Sequence, residues 1–249
     1  MKISGYLEVN GEITKITSMD SLKAFMQNLG ESVNEPTEED YAFMCSDKYE
    51  DEKSYTDDCG VDYSNKNRLL WGNLSLTTYN VEDGTKVVSA NAFATRGRFD
   101  SSLHSLLISD SVVAIGTNSF SYSRYLRSII LSKNLIYIGP HAYSRCFNLL
   151  NFDFPESIKY IGAYSFHCCH ELTKMVFPAS LRKIGSFAFS NCKKLETVTF
   201  KGILPYAGSG IFDECLNLKE IHIPRGSLEH YIKIMPFYPK IRNYHPIHD

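Results

Sequence analysis

The sequence predicts an α/β solenoid: a stack of 23-residue coils with a parallel β-sheet on one face and short helical turns on the other. Three observations predict it. Leucine opens each unit at Leu103, Leu126, Leu149, Leu172, Leu195 and Leu218. Glycine holds the fourteenth place at Gly116, Gly139, Gly162, Gly185 and Gly208. An aromatic fills the eighteenth at Phe120, Tyr143, Phe166, Phe189 and Phe212, and cysteine the twenty-first at Cys146, Cys169, Cys192 and Cys215, with Ser123 standing in once. Self-similarity at a fixed period of this length marks a stack in which each coil buries its apolar face only against its neighbours.

The bulk composition is compatible with this and excludes other classes. In 249 residues, 43% hydrophobic content supplies a substantial core. A net charge of −2 gives no reason to expect nucleic acid or an anionic membrane as partner. No apolar run is long enough for a transmembrane helix. The first residues, Met1 to Glu8, are charged and alternating, unlike the apolar segment of a signal peptide. That leaves a cytoplasmic protein, an upstream start or another export route. Seven cysteines make an odd count, which argues against a complete disulfide framework.

Residues 1–59 are expected to form an N-terminal cap covering the first coil. Gly5 to Thr17 alternates as two strands around an Asn10-Gly11 hairpin turn. Leu22, Phe25, Met26 and Leu29 follow at helical spacing, closed by Gly30. Tyr41, Phe43 and Met44 can anchor one short element inside an acidic stretch. The run Asp47–Glu52 with Asp57-Asp58 does not match a calcium loop and reads as solvated.

Residues 60–224 form the predicted solenoid, which opens on a variant unit with an inserted hairpin. Val81, Val88 and Phe93 align with Ile108, Ile115 and Phe120 at a shift of 27 residues, so four extra residues fall within Ala94–Ser102. Before them, Gly60 to Trp71 reads as strand, polar turn, strand, with Trp71 expected as a core plug. In each regular unit, positions four and six point inward by the two-residue period of a strand, and proline ends the strand at Pro155, Pro178 and Pro224. A second extended piece follows, as in Ser180 to Gly185, with inward residues such as Leu181 and Ile184. The glycine after it suits a tight or left-handed bend. The turn segment then buries a small residue and the aromatic. Residues 225–249 are expected as a closing cap, a helix from Ser227 through Met235 and then an extended piece.

No catalytic, cofactor-binding or metal-binding pattern emerges, so no cofactor is expected. Ser209 in Gly208-Ser209-Gly210 lacks the spacing of a nucleophile elbow, and no phosphate-binding loop is present. His167-Cys168-Cys169-His170 resembles a metal site in isolation. However, Cys169 belongs to the core column, Cys168 faces out, and adjacent residues close a zinc tetrahedron poorly.

The motif Leu172-Thr173-Lys174-Met175-Val176-Phe177-Pro178, continuing through Ile184-Gly185 and Ala188-Phe189 to Cys192, resembles the BspA-type leucine-rich repeat. The likeness covers roughly residues 60–235, including the hairpin-bearing unit. It implies a right-handed leucine-rich-repeat solenoid used for adhesion or protein interaction, often secreted or at the cell surface, as in bacterial surface antigens. Host or matrix proteins are partners that the resemblance suggests.

Function is therefore expected in outward side chains. On the sheet, position five presents Leu107, Ile130, Asp153, Val176, Thr199 and His222, with Lys174 beside them at position three. Beside the bend, position twelve presents Tyr137, Tyr160 and Tyr206, interrupted by Lys183. These tyrosines either meet a protein or sugar partner or lean on one another along the stack. The leading expectation is a non-enzymatic module that binds a protein through the sheet face. A glycan-binding module using the tyrosines is the alternative, and a hydrolase seated in residues 1–59 the third.

Overall fold

The computed structural model describes residues 5–9, 12–16, 36–46, 53–65, 67–95, 101–236 and 244–246. Its core is a stack of parallel coils with two sheeted sides and one side made of turns. The front sheet holds the strands at positions three to five. Thr78–Asn80, Ser105–Leu107 and Ser128–Ile130 pair in parallel with Ser105 opposite Ser128 and Leu107 opposite Ile130. Lys174–Phe177, Thr197–Phe200, Glu220–Ile223 and Tyr244–Pro246 form a second parallel block.

The flank sheet has nine strands. Six are two-residue strands, Val87–Val88, Ala114–Ile115, Tyr137–Ile138, Tyr160–Ile161, Lys183–Ile184 and Tyr206–Ala207, all parallel. Lys53–Thr56, Asp62–Ser64 and Arg68–Trp71 extend it as an antiparallel meander. The meander crosses the 59/60 boundary drawn from the sequence. Val87 lies opposite Ala114 and Val88 opposite Ile115, 27 residues apart, so the insertion falls where the alignment placed it. Of that segment, residues 96–100 lie outside the described residues.

Position-specific chemistry explains the stack. The rings of Phe93, Phe120, Tyr143, Phe166 and Phe189 lie at successive centroid spacings of 5.4, 5.2, 5.3 and 4.9 Å, nearly parallel, with Phe212 tilted at the end. Each cysteine of the twenty-first column donates its S–H to the backbone carbonyl of the aromatic one coil earlier. Cys146 bonds Phe120, Cys169 Tyr143, Cys192 Phe166 and Cys215 Phe189, at 3.0–3.3 Å. A cysteine there fills space and also supplies a weak donor to a buried acceptor, which alanine cannot do.

The glycine column serves close approach, not a left-handed bend. A Cβ on Gly162 would lie 2.4 Å from the Pro140 nitrogen, and one on Gly185 2.3 Å from that of Ala163, so the backbones of adjacent coils touch here. Positive φ instead occurs at non-glycine residues of the turn side: Asn118, His141, Tyr164 and Phe187 in one column, and Tyr122, Arg145, Cys168, Asn191 and Glu214 in another. This alternation points every second N–H at the next coil. Asn118, Phe120 and Tyr122 donate to the carbonyls of Pro140, Ala142 and Ser144, and the pattern repeats up the stack. The turns are single i→i−3 turns, because left-handed residues four positions apart in each coil prevent a continuous helix.

Among the described residues, two helices flank the coils. Glu38–Met44 begins at a capping box in which Thr37 Oγ1 accepts from Asp40 N–H and Asp40 accepts from Thr37 N–H. It lies over the flank sheet, with Tyr41 stacked on Tyr137 at 5.8 Å and tilted against Tyr160 at 6.0 Å. Glu38 pairs with Lys183 at 2.5 Å. Ala90 N–H donates to Cys45 O and Arg68 to Ser46 O, which fix the chain leaving the helix.

The second helix, Leu228–Ile234, closes the last coil through Tyr231, whose hydroxyl accepts from Leu204 N–H and donates to Gly202 O. Tyr231 and Met235 face in, whereas Leu228 and Ile232 face solvent. Ser227 makes no cap bond with its hydroxyl, which donates instead to Pro224 O. The strands Gly5–Val9 and Glu12–Ile16 pair antiparallel as expected, with Val9 opposite Glu12. The helix expected around Leu22–Leu29 and the acidic run at 47–52 lie outside the described residues.

Trp71 is not a core plug: it is 46% exposed. A register shift between Asp62 and Tyr63 breaks the two-residue alternation of the hairpin, so Leu69 enters the core and Trp71 turns away. Phe93 occupies the space instead, and a Cβ on Gly72 would lie 2.2 Å from its ring.

Candidate interaction surface

The front sheet projects side chains alternately into the core and into solvent. Leu106, Phe152, Met175, Val198 and Ile221 are buried, so their neighbours at positions three and five must face out. Ile130 is 65% exposed, Val176 45% and Leu107 39%, and Asp153 and Lys174 are exposed as well. Thr199 and His222 are half-buried, with His222 Nε2 3.2 Å from a Glu220 oxygen. The sheet register sets Leu107 beside Ile130 and Val176 beside Thr199 and then His222, so these side chains form one row.

The row has a break. Residues 151–154 carry no strand, and the front sheet divides there into its two blocks. This coil carries phenylalanine at both inward positions, Phe152 and Phe154. Phe152 packs edge-on with Tyr143 and Phe166, and Phe154 edge-on with Phe166 and tilted against Phe177, at 4.5–5.8 Å. A cleft of about 220 Å³ opens at this break, lined by Asp153, Phe154, Glu156, Val176, Pro178 and Lys201. Lys201 and Glu156 form an ion pair at 2.7 Å across its rim. The cleft was not foreseen from the sequence, although paired phenylalanines at positions four and six were its visible signal.

The tyrosine column behaves differently. Tyr137 points away from the solenoid core, as the repeat requires, but it is 1% exposed because Tyr41 covers it. Tyr160 is half-buried under the same ring, and only Tyr206 is open, 53% exposed with Lys183 over its face at 5.2 Å. Burial pushes the Tyr41 hydroxyl up to about 12, and burial raises Tyr137 still further. The flank sheet therefore offers no run of exposed tyrosines. The helix over it leaves the front sheet as the bare sheet face. Among the described residues, no group of three or more His, Cys, Asp or Glu side chains could hold a metal ion, and no helix is long and apolar enough to cross a membrane.

Parallel coils sealed by turns on one side, with short strands on two others, define a β-solenoid repeat protein. The chain belongs to the BspA-type leucine-rich repeat family, whose model matches six copies over residues 86–219 and 159–238. It is similar to a leucine-rich repeat protein of T. pallidum, with 27% identity, a TM-score of 0.57, and 69% of this chain and 78% of that one covered. A leucine-rich repeat protein from Bacteroides ovatus shares 22% identity at a TM-score of 0.57, covering 72% of this chain and 46% of that one. A leucine-rich cell surface protein from Faecalibacterium prausnitzii shares 20% at 0.53, covering 68% and 54%. No curated protein sequence matches. Proteins built on this repeat serve as modules for interaction or adhesion and are typically non-enzymatic.

Proposed function

We propose that this chain binds a protein partner through the front sheet, with Leu107 and Ile130 as its apolar centre and the cleft beside Asp153 and Val176 as an anchoring pocket. The observation that carries this reading is the asymmetry between the two sheets. On the flank sheet the Glu38–Met44 helix covers Tyr137 and half-covers Tyr160, leaving Tyr206 open, whereas the front sheet leaves Leu107, Ile130 and Val176 in water. Apolar side chains adjacent on a rigid sheet and rimmed by serine, threonine and charged residues match the make-up of a protein contact surface. Asp153, Glu156, Lys174 and Lys201 offer both signs of charge at its edge, suited to fixing register with a mixed-charge partner.

The experiment compares partner capture by the parent chain and by a Leu107→Asp, Ile130→Asp variant. Both positions are exposed, so the variant is expected to fold as the parent does and to lose the partner. Undiminished capture by the folded variant would sink the reading. Tyr137 gives the tyrosine-based glycan reading no support, since a sugar cannot reach that ring while Tyr41 stands on it.

A further inference from the structure

The outward column on the turn side runs Tyr122, Arg145, Cys168, Asn191 and Glu214, all in left-handed backbone conformation. At its centre, two side chains from successive coils, His167 and Asn191, meet the sulfur of Cys168, with Ser190 behind the imidazole. Cys168 Sγ lies 3.2 Å from His167 Nε2. On the other side of the ring, His167 Nδ1 lies 2.7 Å from Ser190 Oγ. The Ser190 hydroxyl also lies 2.9 Å from Phe187 O, and when it donates there it accepts from the imidazole. In that arrangement Nδ1 carries the proton, and Nε2 presents its lone pair to the Cys168 thiol. Asn191 Nδ2 donates to the same sulfur at 3.2 Å. Burial, reinforced by the nearby Arg145 guanidinium, holds His167 below the usual imidazole range, so the ring is the free base at neutral pH.

Cys168 differs from the cysteines of the core column. Those donate their S–H to backbone carbonyls, which cannot take the proton. Cys168 faces a base that a third group orients, the arrangement that activates a thiol nucleophile. We propose that Cys168 is a reactive thiol, activated by His167 and oriented through Ser190, that exchanges with small disulfides at the solenoid surface. In that step Nε2 takes the S–H proton and the sulfur attacks one sulfur of the disulfide. A new S–S bond forms as the old one breaks, and the leaving thiolate recovers the proton from the imidazolium. The residue is 8% exposed, so the disulfide that reaches it must be small. Arg145 beside it favours an anionic one.

The test uses the full chain carrying Cys59→Ser and Cys215→Ser, which removes the two thiols outside the buried class. The probe is the anionic aromatic disulfide 5,5′-dithiobis(2-nitrobenzoate). The folded protein is expected to release one equivalent of thiolate in a phase faster than the same chain shows in urea, and Cys168→Ser abolishes that phase. His167→Gln slows it at least about tenfold. If more than one equivalent appears in His167→Gln, core thiols have been exposed by unfolding. The decision then passes to Ser190→Ala, which keeps the imidazole but loses its orienting acceptor and is expected to slow the phase as well. A fast phase that survives Cys168→Ser, that is unchanged in Ser190→Ala, or that is no faster than in urea overturns the proposal.

Discussion

At the scale of single residues, the repeat is selected by what each column must touch. The aromatic column shows this through its exception. Tyr143 stands among phenylalanines, fully buried, and its hydroxyl has no hydrogen-bond partner in the structure. A buried hydroxyl without a partner loses its hydration for nothing in return. Tyr143→Phe is therefore expected to raise unfolding stability by about 1 kcal/mol, measurable as a shift in the urea midpoint. The cysteines carry a second consequence. Burial raises Cys45 to about 12 and lifts Cys146, Cys169 and Cys192 further, whereas unfolded thiols titrate near about 8.5. A raised folded-state value means that the stabilisation is complete below the unfolded value and is lost as pH rises above it. Stability should fall from about pH 8.5 upward, by roughly 1 kcal/mol per pH unit for each such thiol. Replacing Cys146 and Cys192 by alanine should flatten that fall, and an unchanged pH slope in the variant would contradict the burial argument.

At the scale of elements, legibility follows repetition. Leu103 to Pro224 could be read because five coils vote on every position, and the inward residues Leu106, Ile115 and Phe166 lie where the columns put them. The twenty-seven-residue shift of the first coil was legible for the same reason. Elements that occur once were not. Tyr41 and Met44 marked an anchored segment, but no pattern told where it docks, because its partners Tyr137 and Tyr160 look like any outward column until Tyr41 stands over them. The glycine column was legible as glycine and misread as to cause, since close approach of two backbones leaves no separate sign in the sequence. Trp71 failed because one bulge reverses a strand's facing, and nothing in Gly60 to Trp71 announces the bulge. The docking of the Glu38–Met44 helix is itself testable. Tyr41→Ala removes a ring that is 4% exposed and should weaken the helix–sheet contact by about 3 kcal/mol. Amide exchange in Glu38–Met44 should then rise sharply while protection of the coils stays as it was. Equal loss of protection in both would show that the helix is integral to the solenoid core.

At the scale of the molecule, the stack turns a local repeat into three long surfaces with different fates. The flank surface is covered by the helix at Tyr137 and Tyr160, and the turn surface is sealed by its own hydrogen-bond ladder. The front surface keeps its apolar row in solvent, and the row is broken at the coil of Phe152 and Phe154, where the cleft opens. Such a rigid array costs little ordering entropy when a partner lands on it, because the side chains are already held by their strands. The most direct measurement places a photo-crosslinking residue at position 130 of the front sheet and, in a second variant, at position 214 on the turn side, both exposed in this structure. Reading the front sheet as the contact surface predicts a covalent adduct with the captured partner from position 130 and none from position 214. An adduct from position 214 alone would contradict it.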